Sequence, residues 1–247
     1  MFIHEYGTED LPLVILLHPM EVTGENLHDV MEPYLKGRYH IISPDQGGHG
    51  KSGPYTDCKS EAAELEKWLL ERGYTDAELL YGASMGVTAG YELVKSGKIH
   101  FRKIWFDGGG LAPHAGFLNW MMKTMFLKKH RALVKDPSLP SENLVKMYGE
   151  EFAAMMKENF IKLSEQDIIR ICHDCTYREL RKLPVEEQKK ICFEYGESDP
   201  NLKAAKKVIK QYFPESELII RKGYGHCGYM AFHTKEYVQD LETCMKK

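Results

Sequence analysis

The sequence predicts an α/β fold with a mostly parallel sheet and an inserted helical segment. Short apolar runs alternate with helical patterns, which is typical of a parallel sheet flanked by helices. The run from Leu13 to Leu17 is continuous rather than alternating, as expected for a strand covered on both faces. Between Leu111 and about Leu183 no strand pattern occurs, so this segment is predicted to be helical.

Each element follows from its local pattern. Strands are predicted at residues 13–17, 40–43, 78–81, 103–106, 191–195 and 218–220. Helices are predicted at residues 61–71 and 84–96, after the fifth strand, and at the C-terminal end. Within the helical segment, Ser164 and Asp167 fit an N-terminal capping box, and Pro137 and Pro140 mark a break between helices. We therefore expect a discontinuous core of residues 1–111 and 184–247, covered by a helical cap of residues 112–183.

Composition restricts the classes of partner. The 247 residues include 33 Lys and Arg against 36 Asp and Glu, a net charge of −3, which gives no electrostatic reason to bind nucleic acid or an anionic membrane. The N-terminal residues do not resemble a secretory signal, and the six Cys form no disulfide framework. We expect a cytoplasmic protein that binds a small-molecule substrate; a homodimer is compatible with the sequence.

The segment Gly82-Ala-Ser-Met-Gly86 lies between a predicted strand and a predicted helix. A nucleophilic serine on a tight strand-to-helix turn needs small residues two positions before and after it. The helix that begins there also directs free N–H groups at the turn, where they can stabilise an oxyanion. The alternative is an ordinary turn with a capping serine. The context favours Ser84 as a nucleophile.

A serine nucleophile requires a general base, and the base requires an orienting carboxylate. Among 11 histidines, His226 lies in a glycine-rich loop between the last strand and the last helix, where it can reach over the sheet. Asp199, shortly after the strand at residues 191–195, is the preferred acid. Asp107 and Glu197 remain alternatives, because the order serine, acid, histidine fits all three.

These motifs resemble the α/β-hydrolase superfamily, and the resemblance covers nearly the whole chain. The matching segments are residues 82–86, 196–199, 225–226 and the Asp-Gln-Gly-Gly-His-Gly-Lys-Ser loop at residues 45–52. The resemblance implies an α/β-hydrolase fold with an all-helical cap, and a catalytic triad of Ser84, His226 and Asp199. Because haloalkane dehalogenases and epoxide hydrolases carry Asp as the nucleophile, those two chemistries are excluded.

The predicted oxyanion hole departs from the superfamily pattern. The first buried strand usually ends in His-Gly-x, whose last N–H is an oxyanion donor, but here it ends in His18, Pro19 and Met20. Proline lacks an N–H but does not occupy the donor position, so Met20 can donate together with Met85. Glu21 lies beside this hole. We expect it to face solvent, although it could instead repel anionic substrates or bind a polar group.

Two other functional interpretations are weak. The loop ending in Gly50, Lys51 and Ser52 is not a Walker A loop, because Asp45 stands where its first glycine belongs. Cys172 and Cys175 have the spacing of metal ligands, but no second ligand pair follows at zinc-finger spacing. We expect no metal and no cofactor. His49 is interpreted as a structural loop residue.

The predicted cap contains six of the 12 Met residues, together with several aromatic residues. Such residues often only fill a core, and that interpretation is retained here. The alternative is a flexible apolar pocket over Ser84. Its candidate lining residues are Trp120, Met121 and Met125, with Met122 and Phe126 beside them; the basic run from Lys123 to Arg131 is expected to face solvent.

The sequence therefore predicts a carboxylesterase-like serine hydrolase for a small, largely apolar ester or related acyl compound. The same triad could instead hydrolyse an amide, a thioester or a carbon–carbon bond. A non-catalytic small-molecule receptor on the same fold is the alternative from another class, because a fold does not determine a function.

Overall fold

The computed structural model describes residues 1–113 and 116–246, which form a sheet of seven strands between layers of helices. The strands are β1 (Phe2–Tyr6), β2 (Leu13–Leu17), β3 (His40–Asp45), β4 (Asp76–Ala83), β5 (His100–Asp107), β6 (Ile191–Gly196) and β7 (Glu217–Arg221). Their order across the sheet is β1-β3-β2-β4-β5-β6-β7. β1 is antiparallel to β3, and all other pairs are parallel.

The six predicted strands are confirmed, and β1 was not predicted. β1 lies at the edge of the sheet, and most of its residues are partly or fully exposed. β1 contains the polar residues His4 and Glu5, so it lacks the continuous apolar run that is typical of the interior strands. The predicted α/β architecture with a mostly parallel sheet is confirmed.

Seven helices belong to the core in the described part of the chain. They are α1 (Gly24–Leu35), α2 (Cys58–Glu71), α3 (Gly86–Ser96), α8 (Val185–Gln188), α9 (Leu202–Tyr212), α10 (Gly228–Phe232) and α11 (Thr234–Lys246). β2 shows how they cover the sheet, because its five residues are all buried but alternate between two hydrophobic clusters. Leu13, Ile15 and Leu17 pack in the cluster that includes α2, α3 and α9. Val14 and Leu16 pack in the cluster that includes α1 and α11.

Between β5 and β6 the described chain forms α8 and, before it, four inserted helices, which we call the cap. They are α4 (Gly116–Lys135), α5 (Glu142–Tyr148), α6 (Glu150–Lys162) and α7 (Glu165–Thr176). α4, α6 and α7 share a small hydrophobic cluster that includes Leu133, Phe160, Ile168 and Cys172. α5 instead packs through Tyr148 in the cluster that includes α1 and α11. α4 is the longest helix described, and neither it nor any other described helix is both long and apolar enough to span a bilayer.

The last inserted helix, α7, is fastened to the core by buried carboxylates. The predicted capping box is present, since Ser164 Oγ accepts a hydrogen bond from the Asp167 N–H at 3.0 Å. The Asp167 carboxylate also accepts from the Tyr55 N–H at 2.9 Å. Asp174, two turns further on, accepts from the Tyr55 hydroxyl at 2.8 Å and from the Cys58 N–H at 2.6 Å.

Candidate active site

Ser84 occupies a sharp turn between β4 and α3. Its φ is 48°, an uncommon conformation for a residue with a side chain, and its N–H donates to the Asp107 carbonyl at 2.7 Å. A Cβ at position 86 would lie 2.1 Å from the Leu17 carbonyl oxygen, and one at position 82 would lie 3.0 Å from the Gly86 backbone. Backbone therefore leaves no room for a side chain at Gly86 and only a tight fit at Gly82, in keeping with the small residues that the pattern predicts.

The structure brings Ser84, His226 and Asp199 together. His226 lies in the loop after β7, and its Nε2 is 2.8 Å from Ser84 Oγ, in position to accept the hydroxyl proton. Its Nδ1 is 2.8 Å from Asp199 Oδ2, on a carboxylate that is wholly buried after β6. The three residues follow the carboxyl ends of β4, β6 and β7, which lie at the same edge of the sheet, so the sheet sets their relative positions.

The alternative acids Asp107 and Glu197 have other partners. The Asp107 carboxyl accepts from the Tyr237 hydroxyl at 3.0 Å. The Glu197 carboxylate accepts from the Gly223 N–H at 3.1 Å. In the described ranges, Asp199 is the only carboxylate hydrogen-bonded to the His226 ring.

The electrostatic environment distinguishes these carboxyl groups further. Burial lowers the pKa of His226, but the hydrogen bond and charge of Asp199 outweigh it, with added contributions from Asp107 and Glu21, so that the pKa lies above its ordinary value. Burial and the nearby Glu194 raise the pKa of the Asp107 carboxyl well above its ordinary range. The hydrogen bond to the His226 ring and the larger effect on its pKa therefore both belong to Asp199.

The predicted oxyanion donors Met20 and Met85 lie on adjoining loops. Their side chains pack in one small cluster with Tyr55 and Ile171. Met85 precedes the first turn of α3, so its N–H has no carbonyl partner within the helix. Within residues 1–113 and 116–246, neither the Met20 nor the Met85 N–H has a hydrogen-bond acceptor. Both groups are therefore available to a ligand.

Two buried histidines hold the loop that carries Met20. His18 Nε2 accepts from the Gln46 N–H at 2.8 Å, and its Nδ1–H donates to the Pro19 carbonyl at 2.9 Å. Burial, reinforced by the neighbouring His49, lowers the pKa of His18 to about 3, so the ring is neutral. His49 Nε2 accepts from the Glu21 N–H at 3.3 Å. These contacts give His49 a structural part in the loop.

The expectation that Glu21 faces solvent is wrong. Only 3% of the residue is exposed, and its φ is 72°. One carboxylate oxygen lies 3.5 Å from Lys129 Nζ, on α4. Burial raises the pKa of Glu21 despite the opposing effect of Lys129. Lys129, expected on a solvated face, therefore reaches from α4 toward the loop that carries Met20 and Glu21.

The three residues expected to line a pocket are instead largely exposed. Trp120, Met121 and Met125 are 59%, 47% and 57% exposed, so their side chains point largely into solvent. Met122 and Phe126, on the same helix, pack against the inner cluster of the cap, where the Phe126 ring lies 5.9 Å from that of Phe160. The difference arises because α4 is apolar on more than one face, and packing selects which face turns inward.

Residues from the cap that carry no sequence motif also reach the site. The Tyr148 hydroxyl donates to the His226 carbonyl at 2.9 Å. The Asn159 side-chain amide donates to the Glu21 carbonyl at 3.3 Å. Both are single polar residues in helices, so nothing in the sequence separates them from residues that face solvent.

A polar cleft of about 670 Å³ lies between the loop after β3 and α6. Its lining includes His49, Lys51, Glu158, Asn159 and Lys162, but not Ser84, His226 or Asp199. In the described ranges, no three His, Cys, Asp or Glu side chains are grouped so that they could hold a metal ion.

No family model and no curated protein matches this chain in sequence. Solved structures match over nearly its whole length. An α/β-hydrolase family protein from Desulfitobacterium hafniense is 16% identical, with a TM-score of 0.71 and 98% of each chain covered. A bromoperoxidase from Bacillus anthracis is 19% identical, with a TM-score of 0.76 and coverage of 99% of this chain and 95% of that chain. An esterase from Exiguobacterium antarcticum is 16% identical, with a TM-score of 0.74 and the same coverage.

These similarities, together with the sheet order and the serine turn, show that the chain has the α/β-hydrolase fold. The fold expected from the motifs is therefore confirmed. At identities below 20% the similarity establishes the fold alone, and the activity depends on the residues of the site.

Proposed function

We propose that this protein is a serine hydrolase that cleaves a small, largely apolar ester through an acyl-enzyme intermediate. The observation that carries the proposal is the continuous chain of hydrogen bonds from Ser84 through His226 to Asp199, with 2.8 Å at both steps. This distance is within reach for proton transfer from a nucleophile to its base.

In the proposed acylation step, Ser84 Oγ attacks the carbonyl carbon of the ester while His226 Nε2 takes the hydroxyl proton. Asp199 stabilises the resulting imidazolium. The Met20 and Met85 N–H groups donate to the carbonyl oxygen as it becomes negative. His226 then returns the proton to the leaving alcohol, and the acyl group remains on Ser84.

In the proposed deacylation step, His226 removes a proton from a water molecule, which attacks the acyl carbonyl. The tetrahedral intermediate collapses, His226 returns the proton to Ser84 Oγ, and a carboxylic acid leaves. One water is consumed for each ester cleaved, and the proton transfers of these steps are all assigned to His226.

Apolar side chains of the cap and of the loop that carries Met20 pack together beside the proposed site, and an apolar ester is the substrate we propose. Met122 and Phe126 turn inward on α4, and Met20 packs against the same cluster. Amide, thioester and carbon–carbon bond hydrolysis would use the same three residues and remain outcomes of the test. The solved structures with this fold include both an esterase and a bromoperoxidase, so the fold does not choose among these reactions.

A series of 4-nitrophenyl esters with increasing acyl length tests the proposal. We expect release of 4-nitrophenol, fastest for short acyl chains, and its loss in Ser84→Ala. Ser60→Ala is the matched control, because Ser60 is exposed on α2 and bonded to Asp57. A protein with intact Ser84 that neither hydrolyses any ester nor reacts with a fluorophosphonate probe would contradict the proposal and favour a receptor.

A further inference from the structure

Glu21 is in an unfavourable position by three physical criteria. It has a φ of 72°, a conformation that favours glycine. Its carboxylate is removed from water, with 4% of the side chain exposed. It also follows Met20 directly, so a negative charge lies beside the group proposed to stabilise an oxyanion. Features of this kind are tolerated at sites where they serve a function.

The backbone of Glu21 is held firmly, whereas its carboxylate is not. The N–H donates to His49 Nε2 at 3.3 Å, and the carbonyl accepts from the Asn159 amide at 3.3 Å. In the part of the chain that the structure describes, the carboxylate has one partner within hydrogen-bond distance, Lys129 Nζ at 3.5 Å. This distance is at the outer limit for a hydrogen bond, so the buried acceptor is incompletely satisfied.

Lys129 can be displaced from this position. It belongs to α4 in the cap, and 33% of its side chain is exposed, so the ammonium group can move into water. Its Nζ also lies 5.0 Å from the centre of the Phe160 ring. A carboxylate and an aromatic face around one cation form a site that a different cation could occupy.

The charge of the surrounding groups favours a cationic ligand over an anionic one. Asp199 is hydrogen-bonded to His226, and Glu21 is close enough to His226 to act on its pKa in the same direction as Asp199. The negative charge of Glu21 opposes the charge that develops on the oxyanion during attack. A bound cation would take over from Lys129 the neutralisation of Glu21, and the substrate would itself supply the charge that offsets this carboxylate during attack.

We propose that the Glu21 carboxylate binds a cationic ammonium group of the substrate, in place of Lys129. This inference rests on the proposed hydrolase function and narrows it to esters that are apolar except for one positive charge. The ammonium group could belong to the acyl part or to the alcohol part of the ester.

Two matched pairs of substrates distinguish an ammonium group on the acyl part of the ester from one on the alcohol part. For the acyl part, the 4-nitrophenyl ester of 4-(trimethylammonio)butyrate is compared with that of 5,5-dimethylhexanoate, its neutral isostere. For the alcohol part, acetylthiocholine is compared with 3,3-dimethylbutyl thioacetate. We expect the cationic member of one pair to have a kcat/KM about tenfold higher.

The variant Glu21→Gln keeps the size of the side chain and removes its charge. We expect it to reduce the cation preference to about twofold or less, because the attraction of the carboxylate is lost. Glu25→Gln is the matched control, since Glu25 is an exposed carboxylate on α1, 4.0 Å from Lys51. It should keep the wild-type preference.

Two results would overturn the proposal while leaving the hydrolase function intact. One is that the wild-type protein hydrolyses the neutral substrates and shows equal kcat/KM for the cationic and the neutral member of both pairs. This comparison needs no variant. The other is a cation preference that persists in Glu21→Gln. By contrast, if no member of either pair is hydrolysed and Ser84 does not react with a fluorophosphonate, the proposed function itself fails.

Discussion

The hydroxyl of Tyr148, on cap helix α5, donates a hydrogen bond to the backbone carbonyl of His226 at 2.9 Å. The cap therefore contacts the loop that carries the proposed base. Tyr148 is largely buried in the cluster that covers one face of the sheet, so its position is set by packing on both sides. The hydrogen bond makes the orientation of His226 depend on the docking of the cap.

Replacing Tyr148 with Phe removes this hydrogen bond and keeps the ring. We expect kcat to fall by about tenfold, because His226 is held less firmly over Ser84. Stability should fall by only about 1 kcal/mol, as for a typical hydrogen bond. Tyr177→Phe is the control, since that ring is 45% exposed at the end of α7. A Tyr148→Phe enzyme with wild-type kcat would show that the contact does not position the base.

The pH dependence of kcat/KM reports the pKa of His226. Only the neutral imidazole can accept the Ser84 proton, so activity rises as pH rises through this pKa. Since Asp199 raises the pKa of His226 above 6.5, the midpoint of the rise is expected above pH 6.5.

Asp199→Asn should move that midpoint to lower pH, because burial then lowers the pKa of His226 against only the smaller effects of Asp107 and Glu21. It should also reduce kcat by about 1,000-fold or more, since the imidazolium loses its stabilising charge. Glu197→Gln, a neighbouring carboxylate bonded to the Gly223 N–H, serves as the control. An unchanged pH profile in Asp199→Asn would exclude Asp199 as the partner of His226.

The serine turn has no room for a side chain at position 86. In Gly86→Ala the new Cβ would lie 2.1 Å from the Leu17 carbonyl oxygen, so β2 and α3 would have to separate. We expect a loss of about 2–3 kcal/mol in the free energy of unfolding, measured by urea denaturation, together with loss of ester hydrolysis. Gly53→Ala, where a Cβ meets nothing within 4 Å, should change stability by about 0.5 kcal/mol or less.

Asp174 fastens α7 to the core through two buried donors, the Tyr55 hydroxyl and the Cys58 N–H. Asp174→Ala leaves both without a partner, and we expect the free energy of unfolding to fall by about 2–4 kcal/mol. Asp76→Ala is the comparison, because Asp76 is exposed and bonded to Thr75. Equal stability of the two variants would show that α7 docks without this carboxylate.

The elements that could be predicted from sequence are those whose residues are determined by local constraints. The interior strands are apolar because helices cover both faces, and Gly86 follows Ser84 because neighbouring backbone excludes a Cβ there. β1 and α1 were not predicted, since β1 is a partly exposed edge strand and α1 contains Pro33, which normally indicates a helix end.

The parts of the site that sequence did not indicate depend on contacts between distant segments. Glu21 is buried because helices α4 and α6 of the cap close over it, and no local pattern carries that information. The inward face of α4 is likewise selected by packing, because Trp120 and Met122 are both apolar and only Met122 turns inward. His226 and Asp199, by contrast, follow strands in the expected order and were predicted from position.

The central claim is that Ser84 forms a covalent acyl intermediate, and intact-protein mass spectrometry after rapid acid quenching measures it most directly. During turnover of a short-chain 4-nitrophenyl ester, we expect a mass increase equal to one acyl group. Peptide mapping should place the group on Ser84, and Ser84→Ala should show no increase. Ester hydrolysis by the wild-type protein without any acylated species, or with the same adduct in Ser84→Ala, would contradict the account.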